Sequence, residues 1–169
     1  MLSGCASQED LRPKRDCPIE QLLLDQSDYP PDTILNDIIS PVAEQPLESA
    51  DRSANYHNNA TFQEVVRYFS TKNALAEYGK VQKIVFDPDE VAGIWETPPI
   101  LRLDSLSADR HQIACGNVVS FGNRCFMISQ YEEYYVFFRA DISSKGITHE
   151  LFRDLVLKID EEMSSCLDH

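Results

Sequence analysis

The chain has 169 residues, 43% of them hydrophobic and 25% charged, with 28 acidic residues against 15 basic ones and a net charge of −13. That length suits one domain with an adequate core, and near-average apolar content excludes wholesale disorder. The acidic excess argues against a nucleic-acid partner, which needs a basic face to displace counterions, and against docking on anionic lipid through protein charge. No apolar run approaches the roughly 18 residues of a membrane helix; the longest is Tyr134-Tyr135-Val136-Phe137-Phe138.

In chain order, the first informative residues are Leu2-Ser3-Gly4-Cys5. This tetrapeptide resembles the lipobox that ends a bacterial lipoprotein signal peptide. The resemblance implies that Cys5 is the lipidation site, thioether-linked to diacylglycerol as the mature N-terminus, and that the membrane is a partner through that lipid. Small residues before the cut let a peptidase grip an extended backbone, and the thiol carries the lipid. The family's basic n-region and apolar h-region do not precede Leu2, so the expectation is a trimmed signal with Met1 added or misassigned. Residues 6–16 are Ser-, Gln-, Glu-, Asp- and Arg-containing, with one isolated leucine. Such a segment buries too little apolar surface to order itself, which is the composition of a tether. Ala6, after the cysteine, is not the aspartate that retains lipoproteins at the inner membrane. The expected organisation is a lipobox remnant and tether over residues 1–16 and a single folded domain over 17–169, placed in the bacterial cell envelope.

Cysteine usage points to the same compartment. With Cys5 set aside, Cys17, Cys115, Cys125 and Cys166 remain of the five. An even remainder in an exported domain reads as two disulfides, with three pairings open. Cys115 with Cys125 is favoured, because Gly116 and a Phe121-Gly122-Asn123 turn lie between them and suit two antiparallel strands. Cys17 would then join Cys166, closing a loop worth about 4–5 kcal/mol in the chain-entropy model. The rival readings are free cytosolic thiols, or zinc held by cysteines with His111 or His149. No Cys-x-x-Cys pair exists and the spacings match no zinc module, so no metal is expected.

Residues 18–24 read as a short helix opened by Pro18, and Tyr29-Pro30-Pro31-Asp32 breaks it. Ile34, Leu35, Ile38 and Ile39 have helical spacing, but Pro41 and Pro46 follow, and residues 48–60 are loop-like in composition. The aromatic and β-branched run 62–69 reads as a strand, with Ser70 as the cap of a helix from Thr71 that carries Ala74, Leu75, Tyr78, Val81 and Val85 along one side. Strand candidates follow at 91–95, 100–103, 112–119, 124–130 and 134–142. The last is apolar on both faces and belongs in the centre of a covered sheet. A helix over about 148–166 is the clearest element, with Leu151, Phe152, Leu155, Ile159 and Met163 at three- and four-residue steps. The order predicts an α+β fold, a mainly antiparallel sheet of about five or six strands packed with helices and ending in a long C-terminal helix. By analogy of element order it is similar to the PsbP/Mog1 sandwich, a fold common among small exported lipoproteins.

Chemistry-bearing patterns are sparse. There is no Gly-x-Ser-x-Gly elbow and no phosphate-binding glycine motif, and Ser70 has Asn73, not lysine, at the fourth place. His57, His111 and the terminal His169 belong to no catalytic pattern, so no catalytic residue and no cofactor are assigned. Asp87-Pro88-Asp89-Glu90 offers oxygens to calcium but lacks the alternation and glycine of an EF-hand, and reads as a solvated turn. Asn59-Ala60-Thr61 matches a glycosylation sequon that a bacterial lipoprotein does not use in the ordinary way. Glu132-Glu133, between Tyr131 and Tyr134, marks a hairpin tip. Trp95, the single tryptophan, is a core residue or, with Tyr131, Glu132 and Tyr134, an aromatic binding patch. The expected function is a membrane-tethered, non-enzymatic module that binds a small ligand or an envelope protein. The alternative is an envelope hydrolase whose carboxylates and histidines converge only in the fold.

Overall fold

The computed structural model describes residues 15–40 and 48–167. The lipobox with Cys5 and residues 6–14 of the expected tether lie outside them, as do Pro41, Pro46 and His169. Two helices and a six-stranded sheet of order β1-β2-β3-β6-β5-β4 form the body, with every adjacent pair antiparallel. This is the α+β class, ending in the long C-terminal helix. The strands are β1 (Ile34–Leu35), β2 (Glu48–Tyr56), β3 (Asn59–Arg67), β4 (Arg110–Val118), β5 (Gly122–Tyr131) and β6 (Tyr134–Asp141). β6 lies between β3 and β5, the interior position that its two apolar faces require.

Because side chains alternate across a strand, the two faces of the sheet carry separate cores. On one face, Cys125, Met127 and Tyr131 of β5 join Val136, Phe138 and Ala140 of β6 beneath α2 (His149–Leu167). α2 contributes Phe152, Leu155, Val156, Ile159, Met163 and Cys166, all buried. Phe152 stacks on Phe138 at a centroid distance of 5.2 Å. On the other face, α1 (Thr71–Val85) packs on β5 and β6 through a smaller cluster of Val66, Tyr78, Ile128 and Tyr135. α1 starts where expected: the Ser70 side chain accepts from Asn73 N at 3.3 Å.

Three expectations change. The stretch read as loop contains β2, whose buried apolar residues, Ala50 and Ala54, are too small to give a hydrophobic alternation. Its partner is fixed by a two-residue hairpin, since Tyr56 opposes Asn59 and the residues between, His57 and Asn58, have φ of 49° and 63°. The expected N-terminal helix is one 3-10 turn, Ile19–Leu22. Leu22 and Leu24 are held instead by buried Gln63, which accepts from Leu24 N at 2.8 Å and donates to Leu22 O at 2.9 Å. The candidates at 91–95 and 100–103 are not strands. The Val91 and Glu96 positions make single bridges to Val118 and Cys115, and Pro99–Leu101 is a 3-10 turn, because Pro98 and Pro99 have no N–H to give a ladder.

Candidate functional site

The four described cysteines pair on the α2 side of the sheet. Cys115 and Cys125 face each other across β4 and β5 with Cα atoms 4.0 Å apart, joined as a disulfide. Cys115 exchanges both backbone hydrogen bonds with Glu96 on its far side. It is therefore a non-hydrogen-bonded partner of Cys125, the closer of the two antiparallel pair types. Cys17 is joined to Cys166 near the end of α2, across a separation of 149 residues. His149 has a ring nitrogen within 4.8 Å of the Cys115 and Cys125 sulfurs. A metal site needs thiolate, and these sulfurs are bonded to each other.

Next to Cys17 an ion-pair network holds the start of the described chain. Arg15 donates through Nε and Nη2 to the two carboxylate oxygens of Glu133, each at 3.1 Å, and through Nη1 to Leu167 O at 3.2 Å. It also pairs with Glu132, and Arg67 reaches Glu133 Oε1 at 3.4 Å. Glu133 is buried, and its hydrogen bond raises the Arg15 pKa. Arg15 is thereby tied to the β5–β6 hairpin tip and to the C-terminus of α2.

The four residues anticipated as a binding patch do not share a surface. Tyr131 and Tyr134 oppose each other across the tight β5–β6 turn, so both point to the α2 side, where each is 1% exposed. The Tyr131 hydroxyl donates to Asp160 Oδ1 at 3.0 Å, and burial with that carboxylate raises its pKa. The Tyr134 hydroxyl lies 3.8 Å from Cys166 Sγ, and burial pushes its pKa up to about 12. Glu132 sits in the turn with φ 47° and pairs with Arg15. Trp95 is on the opposite face of the sheet. Its ring lies against Gly116, where a Cβ would come within 3.0 Å of it and 2.5 Å of Val91. It meets Phe126 and Phe86 edge-on, each at 5.6 Å, and its Nε1 donates to Asp87 O at 2.9 Å. Nothing in the sequence placed Trp95 on one face of the sheet and the two tyrosines on the other.

Other candidates are absorbed by structure. Asp87 accepts from Asp89 N at 2.9 Å and caps a short turn. Asp160 accepts from Ser107 N and Oγ as well as from Tyr131. The Asn59 amide donates to His57 O at 2.8 Å, and Asn59 is buried. His57 Nδ1 contacts Lys145 O at 3.0 Å. His111 is half-buried on β4, opposite Ser129.

A groove that sequence reasoning missed lies on the α1 side. α1 covers β5 and β6 but leaves β3 half-exposed, and the uncovered wedge is a cavity of about 410 Å³. Phe62 and Val66 of β3, Tyr135 and Phe137 of β6, and Val81 and Val85 of α1 supply apolar walls. Glu64, Tyr68 and Glu77 bring polar groups to the same space. Glu64 opposes Phe137 on one side and Asp51 on the other. Burial, then repulsion from Asp51 and Glu77, raises its carboxyl pKa. Tyr68 is pushed up to about 12 by burial and by Glu77 and Glu64. Tyr135 is 2% exposed, and its hydroxyl has no hydrogen-bond partner among the described residues. The only sequence signal was three acids, Asp51, Glu64 and Glu77, on segments with no visible spatial relation.

No protein-family model matches the chain, and no curated protein matches it. Among solved structures, it is similar to the extracellular domain of PknH from Mycobacterium tuberculosis, with a TM-score of 0.58 and 10% identity over 87% of this chain and 95% of that one. An uncharacterised protein from Mycobacterium smegmatis aligns over 86% of this chain and 98% of that one, with 12% identity and a TM-score of 0.40. The first likeness is one of fold.

Proposed function

We propose that this chain is the folded head of an exported bacterial lipoprotein, anchored by diacylglycerol on Cys5, that acts as a non-enzymatic binding module in the cell envelope. The observation that carries the reading is the cysteine inventory. Four of the five cysteines are joined as Cys17–Cys166 and Cys115–Cys125, which suits an oxidising compartment and leaves Cys5 outside both bonds. Likeness of fold to the extracellular domain of PknH supports the same location. The Arg15 network adds a mechanical argument: the tether would enter the fold at a point fixed to the β5–β6 tip and the end of α2.

The test is expression of the gene with its own upstream sequence in a bacterial host fed an alkyne-bearing palmitate. The reading expects label on the chain, recovery with membranes, and no alkylatable thiol in the folded head without reductant. The Cys5→Ala variant should lose the label and leave the membrane fraction. Equal labelling and fractionation of Cys5→Ala, or four free thiols in the native protein, would overturn it.

A further inference from the structure

From the arrangement of Glu64, Glu77, Tyr68 and Tyr135 around the apolar groove beside α1, we infer that this groove binds a small free organic amine: an ammonium group carried on an apolar stem. The inference deepens the reading of the chain as a binding module by naming a ligand class, and it does not depend on the lipid anchor.

Size comes first. A space of about 410 Å³ falls within the usual ~300–1,000 Å³ range of small-ligand sites. Its chemistry is divided: aromatic and branched walls from Phe62, Val66, Phe137 and Val81 suit an apolar body, while the acids sit among them. Glu64 makes no ion pair with any described residue, although it lies beside Asp51 and within electrostatic reach of Glu77. Among the described residues Glu77 pairs with Lys80 at 3.3 Å, an exposed side chain on the same helix. A desolvated carboxylate facing like charges is an unfavourable arrangement that an incoming cation relieves.

Tyr135 is the second, independent observation. A buried hydroxyl without a partner loses the hydrogen bonds it had in water and is rare in native interiors. The Tyr135 side chain lines the groove, and its buried hydroxyl lies within electrostatic reach of Glu64, Glu77 and Tyr68. An ammonium N–H donated to the Tyr135 oxygen, with another donated to Glu64, satisfies both groups at once. The groove already tolerates a cation over an aromatic ring at its edge, where the Arg139 guanidinium lies 5.7 Å from the centre of the Phe62 ring, and Tyr68 brings a second ring to the same space. A bare divalent metal fits less well, because calcium wants six to eight oxygens and the groove is mostly hydrocarbon.

The experiment is a titration of the oxidised full-length chain with phenethylammonium chloride, followed by two-dimensional amide NMR. Saturable shifts at Glu64, Tyr135 and Val81, with a midpoint below about 1 mM, are expected. The neutral analogue 2-phenylethanol should bind at least about tenfold more weakly, as should phenethylammonium to Glu64→Gln, since one charge-assisted hydrogen bond is lost. Tyr135→Phe should weaken binding about threefold to tenfold, and Glu161→Gln, on the wet side of α2, should leave it unchanged. Equal affinity for 2-phenylethanol, wild-type affinity in Glu64→Gln, or no saturation up to about 10 mM would overturn the inference. So would tighter binding of Nα-acetyl-lysine methylamide than of phenethylammonium, because the site would then belong to a protein side chain. Loss of lipid labelling at Cys5 leaves every one of these readings intact, so the two ideas fail separately.

Discussion

The two faces of the sheet are built from the same strands yet do opposite things. Under α2 the core is continuous, from Phe152 and Phe138 to the cysteines, and its buried carboxylate Glu133 is held by Arg15 and Arg67. Under α1 the cluster is small, the helix stops short of β3, and Glu64 sits beside a groove without an ion pair to any described residue. One charged residue is neutralised within the fold and the other is left for something to meet. Strand alternation makes this separation possible: odd positions of β5 and even positions of β6 serve stability, and their neighbours serve the open face.

The sharpest way to break that comparison is at Cys17 and Cys166. Replacing both by serine removes a loop constraint of 149 residues, worth about 5 kcal/mol in the chain-entropy model. The Cys115–Cys125 pair encloses a separation of 10 residues and should contribute about 3 kcal/mol by the same model. Urea midpoints of the two double variants, measured without reductant, should fall in that order. A reversed order would mean that the α2 side is not held at its ends as described.

A second test compares one buried residue from each face. Phe152 is 0% exposed and stacked on Phe138, so Phe152→Ala should lose about 3–5 kcal/mol. Val81 is half-buried along the groove, and Val81→Ala should lose less than about 1 kcal/mol, because no enclosed cavity is created. Similar losses in the two variants, read from urea unfolding, would remove the distinction between a sealed and an open face.

What the sequence disclosed follows the same divide. α2 was legible because Leu155, Ile159 and Met163 repeat at helical spacing against charged positions, and β6 because residues 134–138 are apolar without interruption. The α1 start was legible in Ser70. β2 was not, since Ala50 and Ala54 carry too little hydrophobicity to show the period, and only the His57-Asn58 turn, which demands positive φ, marked it. The groove was invisible for a different reason. Asp51 and Glu64 become neighbours by strand register, and Glu77 reaches them only through the packing of α1 on β6. No local pattern encodes a contact among three elements, whereas the disulfide reading needed only parity of count and one turn.

The smallest effect is also the most specific to the open face. The folded state raises the Glu64 pKa through burial and the nearby acids, so folding favours its protonated form. Stability from this group is therefore full below the unfolded glutamate value of about 4.3 and is lost as pH rises through the higher folded value. At pH 7 the carboxylate opposes folding, and Glu64→Gln should raise Tm by about 1–2 °C, a figure reduced for the solvent that reaches the side chain. At pH 3.5 the glutamate and the glutamine are both neutral, and the two Tm values should coincide. A buried acid already neutralised by a cation would give the opposite sign at pH 7, because its removal would strand the partner. Thermal scans at the two pH values therefore decide whether the groove's acid is unmet in the free protein, and an amine that raises Tm only in the parent chain at pH 7 meets it.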